Sequence, residues 1–396
     1  MKVLVINAGS SSIKYQLFEM PAEKVLAKGL LEKIGEETSK LTHEFDSKKF
    51  KNQAKAKDHA AGMQLILETL VNSEIGVIKD VSEIHAVGHR VVHGGEEFTG
   101  SVVINRHVIN SIQKFADLAP LHNPPNLTGI KAAQKALPDV TQVACFDTAF
   151  HTSIPKTAYI YALPYDIYEK FRVRRYGFHG TSHKYVAGRA AALMGKKFDE
   201  VNLITCHLGN GCSMTAVRAG KSIDTSMGLT PLEGLVMGTR SGDFDPAILF
   251  YLSEKGYSTE ALNNMCNKQS GLLGISGVSN DMRNLREQAQ AGNDRAKLAF
   301  DIFCYRIKKY IGAYTAALGK LDAIVFTGGI GENAADIRAQ VCFDLEQIGI
   351  DIDPAANAET NRIEGLITSA GSRVKVFVIP TNEELAIAQD TFTLAK

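Results

Sequence analysis

Three short glycine-bearing turns each follow an apolar, strand-like run. Residues 3–6 (VLVI) lead into 7–12 (NAGSSS), 201–206 (VNLITC) into 207–211 (HLGNG), and 323–326 (AIVF) into 327–333 (TGGIGEN). A glycine turn at a strand end suits a phosphate, because backbone N–H groups converge there and glycine lets the chain approach the anion closely. One such turn says little; three in order point to a bound phosphate chain. Rival phosphate motifs fail on their residues. A Walker A loop would need a glycine where residues 215–222 (TAVRAGKS) have Thr215, and the protein-kinase HRD and DFG triplets are absent. Residues 329–334 (GIGENA) fit the dinucleotide pattern GxGxx[GA]. The acidic residue that should follow at a strand end is met only loosely, by Asp351 or Asp353.

Other clusters offer less chemistry. His179 and His183 lie four apart, as do His85, His89 and His93, but no third ligand of zinc type accompanies either set. The six cysteines form no CxxC pair and sit in apolar contexts, as reduced core thiols do.

The elements that must position these turns can be read from periodicity. Residues 2–18 read as strand, turn, strand, and 201–217 repeat that pattern, followed by a hairpin at 219–221. Asn7 to Ser10 then lies over His207 to Asn210, displaced by 200 positions, which reads as an internal duplication. Two homologous α/β domains facing each other would bring both turns to one cleft. Between them the pattern predicts polar loops over 32–57, a helix over 59–71, a strand over 81–92 and, after the proline-stiffened 122–126 (HNPPN), a helix to 137. Late in the chain it predicts a glycine loop at 327–333, a helix over 334–348 and a strand over 374–379. A final helix should open with Thr381 and Glu384 as a capping box.

With 396 residues and 45% hydrophobic content, the chain has material for two domains, crossing near 148–160. Forty-four basic against 43 acidic residues leave a net charge of +1, which gives no footprint for nucleic acid or an anionic membrane. The first apolar run is too short for a signal peptide or a membrane span, so the expected compartment is the cytoplasm.

The segments 3–18 (VLVINAGSSSIKYQLF), 88–98 (GHRVVHGGEEF), 174–186 (RRYGFHGTSHKYV), 207–214 (HLGNGCSM), 237–247 (MGTRSGDFDPA) and 326–333 (FTGGIGEN) closely resemble the family of acetate and related short-chain acyl-phosphate kinases. The match runs the length of the chain in order. That family belongs to the superfamily of actin, sugar kinases and Hsp70. The resemblance implies two duplicated RNase-H-like domains around a cleft: 1–149 with a returning helix at 385–396, and 150–384 for the nucleotide. It also implies reversible, direct in-line transfer of the ATP γ-phosphoryl group to acetate, with cleft closure to keep water out.

What the resemblance implies for residues follows the same chemistry: two anions must meet, so cations are required. Arg90 should bind the substrate carboxylate and Arg240 the transferring phosphoryl, tasks that suit the bidentate fork of arginine. His179 and Asn210 should contact the transferring group, and His122 resembles an active-site histidine of lesser weight. Asp147 is the family's acidic catalytic residue; we expect it to orient metal-bound water or Arg240 rather than to act as a base. Asn7 and Glu383 should serve Mg2+, with Mn2+ accepted in its place. Ser10, Ser12 and Lys14 look phosphate-directed. His207, Leu208, Gly209, Asn210 and Gly211 form the second turn. Asp281, Met282, Arg283 and the run Gly329, Ile330, Gly331, Glu332 and Asn333 correspond to the adenosine side. Val92, Leu121 and Pro231 read as walls of an acyl pocket or as core packing. The family also implies a homodimer.

Three rivals accompany this reading: a relative preferring propionate or butyrate, since one methylene in an apolar pocket is worth only ~1–3 kcal/mol; an NAD-dependent dehydrogenase using 329–334; and an Hsp70- or actin-like ATPase without a small acceptor.

Overall fold

The computed structural model describes all 396 residues, in two compact units: Met1–Thr152 with Asn382–Lys396, and Ser153–Thr381. The first holds an eight-stranded sheet built from β1 (Lys2–Ala8), β2 (Ser12–Glu19), β3 (Lys24–Glu32), β4 (Ser39–Phe45), β5 (Lys48–Ala54), β6 (Ile84–Val91), β7 (Val102–Val103) and β8 (Thr141–Phe146). The second holds a six-stranded sheet of β9 (Asn202–Leu208), β10 (Cys212–Arg218), β11 (Lys221–Thr225), β12 (Ala323–Thr327), β13 (Gly365–Leu366) and β14 (Lys375–Val378).

The duplication is explicit in the strand order. In the first unit β3-β2-β1-β6-β8 runs with the first two pairings antiparallel and the last two parallel, and β7 closes the edge antiparallel. In the second, β11-β10-β9-β12-β14 repeats those directions, and β13 closes that edge antiparallel. Both sheets are the RNase-H-like arrangement. Each central strand is apolar on both faces because helices cover both; β12 is buried at every residue.

Packing in the first unit sets the stage for its site. Leu4, Ile6, Ile13, Leu17 and Leu31 meet Met63, Ile66 and Leu70 of the helix His59–Leu70 on one face. Each such side chain, taken from water to the interior, contributes roughly 1.5–3 kcal/mol. The last helix, Glu383–Leu394, lies directly on β6: a Cβ on Gly88 would come within 2.3 Å of Thr391 Oγ1 and 2.6 Å of Ile387. Only glycine allows that approach, and it brings Glu383 and Glu384 to the end of β6 where Arg90 stands.

Four expectations are corrected. Residues 32–57 carry the β4–β5 hairpin rather than loops. Residues 327–333 are not an open loop, for Gly328–Asn333 is a helical turn. The next helix stops at Cys342 instead of reaching 348. The cap of the last helix is Asn382, whose Oδ1 accepts from Leu385 N at 3.0 Å, and not Thr381, whose hydroxyl bonds Ser182. No helix is long and apolar enough to cross a membrane, and all six cysteines are buried thiols outside any disulfide.

His89, beside Arg90 on β6, is buried with Nε2 2.8 Å from Gln142 Oε1. Burial pulls its pKa from 6.5 down to about 4, against the smaller upward pull of that hydrogen bond. The folded protein therefore stays neutral there while the unfolded chain takes up a proton. The corresponding stability is present in full above pH 6.5 and is lost as pH falls toward about 4, a loss of roughly 3 kcal/mol. Urea midpoints should fall less steeply with pH across that window in His89→Phe than in the parent; equal slopes would remove His89 as the cause.

Candidate active site

The first unit gathers a carboxylate-rich cluster around one arginine. Arg90, second from the end of β6, faces Asp147, which follows β8; the parallel register sets Arg90 opposite Cys145 and Val91 opposite Phe146. Asp147 N bonds Val91 O at 2.9 Å. Arg90 Nε donates to both Asp147 oxygens at 3.1 Å, and Nη2 donates to Oδ2 at 2.6 Å. Asp147 raises the Arg90 pKa most; burial opposes, and Glu383 and Glu384 add to the rise. The guanidinium is thus permanently charged and rigidly aimed, with Nη1 free of any protein partner. The expectation that Asp147 serves Arg240 or metal-bound water did not foresee this partner.

Two asparagines of the HNPPN segment hold the chain after β6. Asn126 Oδ1 accepts from Val92 N at 3.1 Å, and its Nδ2 donates to Ala8 O at 2.9 Å. Asn123 Oδ1 accepts from His93 N at 3.0 Å, and its Nδ2 donates to His93 O at 2.9 Å. Neither asparagine was singled out from sequence. Both prolines lie in the first turn of the helix Asn123–Ala136, where the missing N–H costs nothing. His122 is its N-cap, Val92 is buried, and Leu121 is 75% exposed.

Glu383 stands in the same cluster. Burial is the largest cause pushing its carboxyl up to about 7; Arg90 pulls it down, while Asp147 and Glu384 push it further up. Lys14, read as phosphate-directed, is ion-paired with Glu384. Three carboxylates, Asp147, Glu383 and Glu384, thus face two cations, Arg90 and Lys14. Glu383 has no protein hydrogen bond to its carboxylate. A buried hard-oxygen donor without a hydrogen bond, in the unit that also holds Asn7, fits a divalent cation such as Mg2+. Ser10 is exposed and Ser12 half-buried at the β1–β2 turn.

In the second unit the corresponding turn, between β9 and β10, meets a second arginine. A Cβ on Gly211 would lie 3.5 Å from Arg240 Nη1 and 3.8 Å from His179 Nε2. Arg240 is half-buried, and burial lowers its pKa. Its only bonds are weak ones from Nη1, to Pro231 O at 3.4 Å and Met237 Sδ at 3.8 Å. No carboxylate of the protein pairs with it. His179 holds a left-handed backbone, φ 56°, at the N-cap of the helix Gly180–Leu193, strain of the kind that collects at working sites. Its ring stacks on His207 with centroids 4.2 Å apart, and Ser182 holds His207 Nδ1 at 2.8 Å. Leu208 is buried beneath the turn.

Beside this turn a cavity of ≈ 570 Å3 is lined by Gly209, Asn210, Asp281, Met282, Arg283, Gly329, Ile330 and Asn333 among others. It collects Gly209 and Asn210 of the second turn, but not His207, Leu208 or Gly211, together with parts of both adenosine-side segments, and adds Asn280, Arg286 and Arg362, which the motifs did not reveal. Asn280 Nδ2 donates to Asn210 Oδ1 at 3.1 Å. Gly331 and Glu332 do not line it. Glu332 Oε1 instead accepts from Gly328 N at 2.9 Å and Thr381 N at 3.1 Å, and Gly331 O accepts from the buried Arg338. Arg283 is folded onto Asp281, 2.6 Å away. His183 bonds Thr205 and Ser213, and no group of three His, Cys, Asp or Glu residues could hold a metal ion.

Two RNase-H-like units, with an arginine that meets no carboxylate beside the Gly211 turn of one and a carboxylate-clamped arginine near the end of β6 in the other, fit a phosphotransferase. Residues 2–389 match the model of the Acetokinase family. The acetate kinase of Thermotoga petrophila is 58% identical over 394 residues, 99% of this chain and 98% of its own. The crystal structure of Porphyromonas gingivalis acetate kinase superposes with a TM-score of 0.97 at 48% identity, covering all of both chains. A propionate kinase from Francisella tularensis follows at TM-score 0.92 and 45% identity, with 99% of each chain covered. The chain belongs to the acetokinase family. By that membership it is a kinase of the acetate kinase (ATP:acetate phosphotransferase) type.

Proposed function

We propose that the γ-phosphoryl group passes directly and in line from ATP to the acetate carboxylate, with no phosphorylated protein intermediate. The observation that carries this is Arg240: a half-buried cation beside the Gly211 turn with no acid of its own, poised for an anion the protein does not supply. Arg90 grips the carboxylate through the edge that Asp147 leaves open. Arg240, His179 and Asn210 hold the equatorial oxygens, where charge spreads in the loose transition state. The 570 Å3 cavity takes the adenosine, and Ser10 and Ser12 the phosphate chain. Mg2+, held by Asn7 and Glu383 through oxygen and water, would neutralise phosphate charge when bound. Val92 and Leu121 bound the acyl group on the Arg90 side.

Trapping with hydroxylamine tests the acceptor. Enzyme, ATP and Mg2+ with acetate should yield more hydroxamate than with propionate or butyrate. A larger yield with a longer acid would move the preference, and ADP release without hydroxamate would sink the transfer.

The cytoplasm, where ATP and reduced thiols coexist, is the proposed location. The proposed assembly is a homodimer, supported by the helix Ala247–Glu254. None of its residues is buried, and Ile248, Phe250 and Tyr251 are 42%, 73% and 59% exposed; such a patch marks an association surface. Light scattering should give a dimer mass that Phe250→Glu halves. A monomeric parent would end this reading.

A further inference from the structure

Thr205 of β9, Ser213 of β10 and His183 are fully buried, and they join in one line. His183 Nδ1 is 2.7 Å from Thr205 Oγ1, and His183 Nε2 is 2.7 Å from Ser213 Oγ. Ser213 Oγ is in turn 2.8 Å from His179 Nδ1. Distances alone leave the protons unplaced, since a neutral imidazole has one donor and one acceptor nitrogen and a hydroxyl has a single hydrogen.

Thr205 resolves the choice. It lies out of solvent and its hydroxyl has one partner, His183 Nδ1. Its hydrogen must go there, because buried polar hydrogens in native interiors find acceptors. His183 therefore accepts at Nδ1 and carries its hydrogen on Nε2, which donates to Ser213 Oγ. The Ser213 hydrogen is then directed to His179 Nδ1. His179, accepting at Nδ1, keeps its own hydrogen on Nε2, the nitrogen that faces the Gly211 turn beside Arg240. The reverse polarity would strand the Thr205 hydrogen and present an acceptor lone pair to the anionic group.

We infer that Thr205, His183 and Ser213 form a positioning relay that holds His179 as its Nε2–H tautomer, a hydrogen-bond donor to the transferring phosphoryl group. The relay rests on the phosphoryl-contacting role proposed above for His179. Thr205 and Ser213 touch neither substrate; they act through the ring. The neighbouring Ser182–His207 pair supports the stacked face of His179 without contributing to its proton.

The experiment is nitrogen NMR of the full-length protein labelled in its histidine rings, with His179→Gln used to assign the His179 signals. The parent should show His179 Nδ1 unprotonated and Nε2 protonated; a protonated Nδ1 in the neutral ring would overturn the relay. Thr205→Val removes the donor at the far end. It should shift His179 toward the Nδ1–H tautomer and lower kcat by about 10–100-fold, with the KM values for ATP and acetate unchanged. Thr205→Ser, which keeps the hydroxyl, should restore both tautomer and rate. A valine variant whose His179 tautomer does not move, or a lost rate that serine fails to restore, would refute the inference. If His179→Gln itself kept the parent kcat, the phosphoryl role would fall, whichever tautomer the spectrum records.

Discussion

Arg240→Ala should lower kcat by about 10³–10⁵, the range that an arginine stabilising a transferring phosphoryl group commands, while leaving thermal stability nearly unchanged. The two halves of this expectation have one cause. Arg240 meets no protein carboxylate, and its only bonds are the long ones to Pro231 O and Met237 Sδ. Burial disfavours its charge in the free protein, so the fold loses little when the guanidinium goes. In the proposed transfer the lost interaction is one made with charge that develops on the equatorial oxygens, which lowers kcat more than it raises either KM. Arg240→Lys should recover only part of the rate, because an ammonium offers a point charge where the planar fork spans two oxygens. Steady-state kinetics beside a melting curve check both halves. A kcat within tenfold of the parent would remove Arg240 from the transfer step.

Arg90→Ala should behave differently, with function and stability falling together. The expected loss in kcat/KM for acetate is about 10²–10³, with the KM for ATP little changed. The variant also leaves Asp147, only 2% exposed, as an unpaired carboxylate near Glu383 and Glu384. Removing one partner of a buried pair costs about 3–5 kcal/mol. Adding Asp147→Asn to Arg90→Ala should return much of the stability and none of the acetate affinity. Recovery of both would mean that Arg90 matters only as the partner of Asp147, and that another group binds the carboxylate.

Much of this was legible in the sequence because it is written locally. The apolar runs at 3–6, 201–206 and 323–326 are β1, β9 and β12, since buried parallel strands are apolar on both faces. The duplication displaced by 200 positions reappears as two sheets of one strand order. The β4–β5 hairpin was illegible because KKFKNQA has no apolar alternation and mostly exposed positions; β4 pairs it into the sheet without burying it. The helical turn Gly328–Asn333 looks like a loop because three of its six residues are glycine. Glu332 stabilises that turn by accepting from the N–H of Gly328 at its start, a return bond that composition does not announce.

The missed parts of the site are contacts between elements distant in sequence. Arg90 and Asp147 are 57 residues apart and meet only because β6 and β8 pair in parallel with one register. Asn126 reaches Ala8 across 118 residues. Ser213 is one more polar residue in a buried strand until β10 places it between two histidines. Residue types could suggest what chemistry was present; which groups share it depends on register.

The most direct test of direct transfer is the stereochemical course at phosphorus. ATP made chiral at the γ-phosphoryl group with three oxygen isotopes would be turned over with acetate, and the configuration of the acetyl phosphate determined. A single in-line displacement, with Arg90 holding the acceptor and Arg240 the phosphoryl, predicts inversion. Retention would require an even number of displacements through a phosphorylated side chain, and would contradict the account.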